Sequence, residues 1–234
     1  MTKFIESFDQ SKIKNDDKTQ YLRYRFGRLK HQYWLWNRKN KTRALIDEYD
    51  SIILKNCRPG KIVFFGSAGY YLKDIWPEIE VVEQFPIVKT FFEDVYICEN
   101  RTDLPNILPF KADNFAIVNN RAEHWVTVDE LTDYISQYTA IMAPGCRFFY
   151  SLRDTQLHIN RLTIDMEKYF LDWAISLEKL KLKLVWHSIR FDKKVPDHDG
   201  NYDYNENPDT INGNLKLMFV FDGTDSDNNW VVNQ

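Results

Sequence analysis

The sequence predicts an α/β protein: a Rossmann-like three-layer sandwich whose seven-stranded, mostly parallel sheet ends in an antiparallel strand, preceded by N-terminal helices. Three observations predict it. From Lys61 onward, short apolar strand patterns alternate with amphipathic helix patterns, which implies a parallel sheet with helices on both faces. The last two strand patterns are separated only by a polar stretch containing Pro196, Gly200, Pro208 and Gly213, so they pair as a long antiparallel hairpin. The run Lys61-Ile62-Val63-Phe64-Phe65 passes straight into Gly66-Ser67-Ala68-Gly69, an apolar strand opening into a small-residue turn.

The chain has 234 residues, enough for one large α/β domain with an extension and too few for two cores. The expected division is an N-terminal arm and helical extension over 1–57 and an α/β domain over 58–234. Residues 1–17 are polar and weakly patterned. Residues 18–56 read as two helices, the second from Thr42 to Leu54, stopping before Arg58-Pro59-Gly60. Strands are expected at Lys61 to Phe65, Glu80 to Glu83, Asp94 to Cys98, Phe115 to Asn119, Cys146 to Ser151, Leu182 to Phe191 and Leu215 to Phe221. Helices are expected at Tyr70 to Ile75, Phe85 to Phe92, Val128 to Ile141 and Leu162 to Lys181.

Composition excludes several classes. With 44% hydrophobic and 28% charged residues the chain is of globular type, and 15% aromatic residues supply large core side chains. No apolar run reaches the roughly 20 residues a bilayer requires, and Lys3, Glu6 and Asp9 interrupt what would be a signal peptide. The expected location is the cytoplasm or a virion, and the richness in Asn, Asp, Lys and Ile suits a viral, AT-rich genome. Cys57, Cys98 and Cys146 are far apart, and His31, His158 and His187 are isolated, so neither a disulfide framework nor a metal site is expected. Asp197-His198-Asp199-Gly200 has its glycine too early for a calcium loop and reads as a solvated hairpin loop.

Charge is unevenly placed. The net charge is −3, yet nine basic and no acidic residues lie between Lys18 and Arg43. Arg23, Arg25, Arg28, Lys30, Arg38, Lys39 and Lys41 interleave with Tyr24, Phe26, Tyr33, Trp34 and Trp36, a combination that holds phosphates and stacks bases. The same segment places Leu22, Phe26, Leu29, Tyr33 and Trp36 at three- and four-residue steps, which is the stripe of a helix packed on a core. Both readings stand at this level: a core helix with a solvated basic face, or a surface for nucleic acid or a protein partner.

The site candidates follow from the strand ends. Glu83 closes the second strand about 17 residues after Gly66, where a carboxylate accepts both hydroxyls of a ribose while the Gly66-to-Gly69 turn admits a bulky ligand. A nicotinamide fingerprint fits worse, because its third glycine falls at Tyr71.

Over roughly residues 58–221 the chain resembles the class I S-adenosylmethionine-dependent methyltransferases. Lys61 to Gly69 is similar to their first strand and glycine-rich turn, and Glu80-Val81-Val82-Glu83 to their second strand with its ribose-binding acid. Asn114-Phe115-Ala116-Ile117-Val118 is similar to their fourth strand, and Ala143-Pro144-Gly145-Cys146-Arg147-Phe148 to the turn that opens their fifth. The resemblance implies S-adenosylmethionine as cofactor, held by Gly66, Ser67, Ala68, Gly69, Glu83, Asp103 and Asn119, with His124 beside the methyl group as the base.

The departures lie in the chemistry. Phe64 stands where that family commonly carries an acid, and Asn119-Asn120-Arg121 lacks the prolines with which enzymes acting on base amino groups clamp their acceptor. Gly66-Ser67-Ala68-Gly69 is also similar to the turn of poxvirus-type cap ribose methyltransferases, whose Lys-Asp-Lys-Glu tetrad finds no acidic counterparts here, since an amide takes no proton. The expected function is a methyltransferase-like protein acting on nucleic acid. The alternative is a catalytically inactive fold that serves as a structural, regulatory or nucleic-acid-binding subunit.

Overall fold

The computed structural model describes residues 48–65, 76–84, 86, 94–118, 127–159, 166–193 and 211–224. Among them, seven strands form one sheet: β1 (Ile62–Phe65), β2 (Ile79–Glu83), β3 (Tyr96–Ile97), β4 (Ala112–Val118), β5 (Met142–Ile159), β6 (Leu182–Lys193) and β7 (Ile211–Gly223). Their order is β3-β2-β1-β4-β5-β7-β6. The pairs β1–β2, β1–β4, β2–β3 and β4–β5 are parallel, whereas β7 is antiparallel to both β5 and β6. The mostly parallel sheet with an antiparallel last strand is therefore as expected.

Four α-helices are described: α1 (Glu48–Asn56), α2 (Leu104–Ile107), α3 (Val128–Thr139) and α4 (Met166–Ser176). The start of α3 is fixed locally. Thr127 Oγ1 accepts the Glu130 N–H at 3.1 Å and meets Glu130 Oε2 at 3.1 Å, so one residue pair closes an otherwise open helix end. After α4 a 3-10 turn, Leu177–Leu180, ends on Lys181 in the left-handed region, φ 61°, where the expected single helix to residue 181 breaks.

Side chains alternate between two faces of the sheet. On the first, Val63, Phe115, Phe148 and Phe221 align across β1, β4, β5 and β7, with ring centroids 5.9 Å apart for Phe115–Phe148 and 5.5 Å for Phe148–Phe221. Leu104 of α2, Leu131, Ile135 and Tyr138 of α3, and Phe170, Trp173 and Ala174 of α4 join the same solvent-free cluster. Trp173 lies 4.8 Å from the ring of Tyr150 and 5.5 Å from Phe219, so a single indole ties α4 to two strands. The second face carries a row of Val81, Phe64, Ala116, Phe149 and Val220, all buried, ending at the outermost strand on the exposed Trp186.

At the amino edge of the second face the row turns polar. Asn114, Arg147 and Asp222 lie side by side on β4, β5 and β7. Asn114 Oδ1 accepts the Arg58 N–H at 2.7 Å and its Nδ2 donates to the Arg58 carbonyl at 2.8 Å, an amide that mimics a strand neighbour for the chain arriving from α1. Arg58 also donates to the Gly145 carbonyl.

Element lengths correct the sequence reading most at β3, β4, β5 and β7, the last running 13 residues, Ile211–Gly223, rather than the seven expected from Leu215 to Phe221. β3 has two residues instead of five, and Asp94 is exposed. β4 begins at Ala112, three residues early. β5 runs 18 residues rather than six, because β7 pairs with it well beyond the end of β4, from Arg147↔Asp222 to Ile159↔Ile211. The apolar run Cys146 to Ser151 marks only the stretch covered on both faces. The short helix α2, with buried Leu104, was not expected; Pro105 in its first turn is the signal that could have found it. The expected helices at Tyr70 to Ile75 and in residues 1–47 lie outside the described residues, as does nearly all of Phe85 to Phe92.

Candidate functional site

β2 reads Ile-Glu-Val-Val-Glu, and the alternation that buries Ile79, Val81 and Val82 brings Glu83 to the carboxyl end of the strand on the second face. Its exposure is 2%. A carboxylate that far from water costs several kcal/mol (about 2–7 even for a neutral polar group) unless hydrogen bonds compensate. One is local: the Gln84 N–H donates to Glu83 Oε1 at 2.7 Å. The backbone is pinned as well, since the Glu83 carbonyl accepts the Cys98 N–H at 2.9 Å from the chain leaving β3. The carboxylate thus stands one strand from β1, where chain order reverses between β2 and β4, the crevice in which open α/β sheets bind ligands.

Asp103 sits at the same edge, beyond β3. Residues Arg101–Asp103 form a 3-10 turn that runs directly into α2, with the Asp103 N–H donating to the Asn100 carbonyl at 3.0 Å. The loop is stiffened further by Cys98, whose thiol donates to the Asn100 carbonyl at 2.9 Å. Asp103 itself is exposed and, although at the cap position of α2, makes no side-chain cap bond. The structure brings Glu83 and Asp103 to the carboxyl ends of neighbouring strands, one buried and one facing solvent.

Other expected site residues lie outside the described residues: Gly66, Ser67, Ala68 and Gly69 of the turn, Asn119, His124, and the basic set Arg23, Arg25, Arg28, Lys30, Arg38, Lys39 and Lys41. Phe64 is described, and it is a solvent-free core residue of the second face. Among the described residues no group of three or more His, Cys, Asp or Glu side chains is placed to hold a metal, and no helix is long and apolar enough to cross a membrane. Two thiols are held in the protonated form: burial pushes Cys57 up to about 12, against the nearby Arg147 charge, and pushes buried Cys146 higher still.

No protein-family model matches the sequence, and no curated protein matches it. Solved structures do. A methyltransferase from Pyrococcus furiosus matches at 10% identity and a TM-score of 0.49, covering 86% of this chain and 99% of that one. The 16S rRNA (adenine(1408)-N(1))-methyltransferase from Catenulisporales acidiphilia matches at 13% identity and 0.46, covering 75% and 92%. The N-methyltransferase NodS from Bradyrhizobium japonicum matches at 11% identity and 0.44, covering 75% and 94%. The fold is read from the strands themselves. A seven-stranded sheet ordered β3-β2-β1-β4-β5-β7-β6, with β7 antiparallel, is the class I S-adenosylmethionine-dependent methyltransferase fold, and this chain has it.

Proposed function

We propose that the protein binds S-adenosylmethionine at the carboxyl edge of the sheet and transfers its methyl group to an acceptor, with nucleic acid as the acceptor class. The observation that carries the reading is Glu83, a buried acid at the end of β2 beside the switch point. A ribose edge presents two hydroxyl donors, and a carboxylate already excluded from water is the acceptor that suits them. Bound there, the cofactor supplies an electrophilic methyl group on a sulfonium. What remains for the chain is placement and proton removal. In this reading the Gly66 to Gly69 turn admits the cofactor, Asp103 and Asn119 flank it, and His124 takes the acceptor's proton.

Two assays test the reading together. Ultraviolet cross-linking of methyl-labelled S-adenosylmethionine, competed by S-adenosylhomocysteine, reports binding; label transferred to RNA or DNA oligonucleotides reports the reaction. Competed cross-linking with label in the oligonucleotide, lost in His124→Ala, is the expected result. Absence of any competed cross-link contradicts it.

A second reading has an observation of its own. Phe64 fills the core at the position where the family commonly carries an acid, so one polar contact to the cofactor's methionine end is missing. A protein of this fold that binds cofactor weakly and transfers nothing, acting as an assembly or regulatory subunit, would show cross-linking without transfer to any acceptor.

A further inference from the structure

β6 is the last strand of the sheet. Its inner edge pairs with β7 from Leu182↔Gly223 to Lys193↔Gly213, and no described strand pairs with its outer edge. Such an edge is a row of backbone N–H and C=O groups able to continue the sheet. Side chains on both faces beside it meet solvent. Trp186, on the second face, is 42% exposed, and His187, on the first, is exposed although its ring stacks 5.7 Å from that of Phe219. Leu184 opposes Phe221 and Trp186 opposes Val220, so Val185 between them is the extra residue of a bulge, and it stands 47% exposed. Of the three large hydrophobic side chains exposed among the described residues, two are these neighbours; the third, Ile175, is on α4.

Register decides what fits this edge. A two-fold axis normal to the sheet brings a second β6 alongside, antiparallel, and leaves every residue on its own face of the joined sheet. Because side chains alternate, that axis must pass through a residue and not between two. Through His187 it would set Lys183 against Arg190 once the bulge is counted, and through Arg190 it would set that residue against its own copy, like charges both times. Through Ile189 it would carry Lys183 past the copy's last residue, Lys193. Through Ser188 it sets Ser188 against Ser188, His187 against Ile189, and Trp186 against Arg190, a guanidinium for the face of an indole. Beyond the bulge the same register brings positions 183 and 192 opposite one another, a lysine and an aspartate in the sequence.

We propose that the outer edge of β6 is a homodimer surface, on which two copies of this chain pair antiparallel about Ser188 so that their sheets run on as one. The occupant is a second copy because the strand complements itself: each exposed Trp186 is covered by the partner's Arg190, and the charges alternate across the pair. The pairing uses the same edge on both chains and so closes at two. Glu83 lies on β2, five strands from this joint, so dimerisation and the ligand site are independent.

The test uses the full chain. In sedimentation velocity the parent should pass from monomer to dimer between about 1 and about 100 µM, since a strand pair is at the small end of specific interfaces. Trp186→Glu should weaken association about 10-fold or more, as loss of an aromatic anchor does. The register is read by disulfide trapping. The axis leaves the two Ser188 Cα atoms about 4.5–5.5 Å apart, within the span of a disulfide. Ser188→Cys should therefore form a covalent dimer on mild oxidation, seen on a non-reducing gel. Arg190→Cys should not, because its two copies lie roughly 13 Å apart along the strands. A parent protein monomeric to about 100 µM would overturn the proposal and leave the edge to a different partner. A dimer that Trp186→Glu leaves intact, or one trapped through Arg190→Cys and not Ser188→Cys, would overturn it as well.

Discussion

Arg147 and Asp222 face one another across β5 and β7 as a two-bond pair, Nε to Oδ1 at 2.7 Å and Nη2 to Oδ2 at 3.1 Å, with both side chains nearly solvent-free. Arg58 Nη2 reaches the same carboxylate at 3.0 Å, so one buried acid answers two guanidinium groups and fastens the chain leaving α1 to the amino edge of the sheet. Removing one partner of such a group strands the others. Arg147→Met should lower unfolding free energy by about 3–5 kcal/mol in urea titrations. Asp222→Asn, which leaves two guanidinium groups without their carboxylate, should cost at least as much. A loss below about 1 kcal/mol in both variants would show that the clasp carries little of the stability.

Gly60 turns the chain into β1 at φ 123°, a conformation that side-chain-bearing residues rarely adopt. A Cβ there would lie 2.1 Å from Asp113 Oδ2, the oxygen that accepts the Lys61 N–H at 2.8 Å. Gly60→Ala should therefore cost about 1–3 kcal/mol of stability through strain and the displaced Asp113. Because Gly60 is at the amino edge, ligand affinity of the folded fraction should not change.

Cys57 should behave as an inert thiol. Held up at about 12 chiefly by burial, it has about one thiolate in 10,000 at pH 8, so alkylation of the native protein should be far slower than after unfolding. The linked stability effect has a definite sign. A folded value above the ordinary 9.0 favours the folded state fully below pH 9 and is lost as pH climbs from 9 towards 12. Parent protein should lose stability over that window more steeply than Cys57→Ala, and parallel curves would contradict the burial.

Trp173 is fully buried between Tyr150, Phe219 and Phe221, and its indole Nε1 has no hydrogen-bond partner among the described residues. Trp173→Ala should cost about 3–5 kcal/mol through the cavity it leaves. Trp173→Phe should cost distinctly less, because it also deletes an unsatisfied donor worth about 1–3 kcal/mol. Equal losses in the two variants would mean that the N–H is satisfied in solution.

The sheet was legible because its central strands are buried on both faces, which leaves continuous apolar runs such as Ile62 to Phe65 and Phe115 to Val118 with helix patterns between them. The antiparallel ending was legible from a missing helix. What the sequence obscured is polar or short. The outer parts of β5 and β7 pair through residues such as Gln156 and Asn214, which carry no apolar signal, and β3 is too short for periodicity to register. Arg147 and Asp222 are far apart in sequence, and nothing local marks either as a partner. At the site, Glu83 was legible because a strand end has a fixed place in this topology. Its near-complete burial was not, since burial is a tertiary property that no local pattern encodes.

In the proposed function Glu83 receives the ribose of S-adenosylmethionine, and calorimetric titration with S-adenosylhomocysteine is the sharpest check of that contact. Micromolar binding to the parent protein is expected, with at least a 10-fold loss in Glu83→Ala and both proteins folded by circular dichroism. No heat at millimolar ligand, or equal affinity in the two proteins, would contradict it.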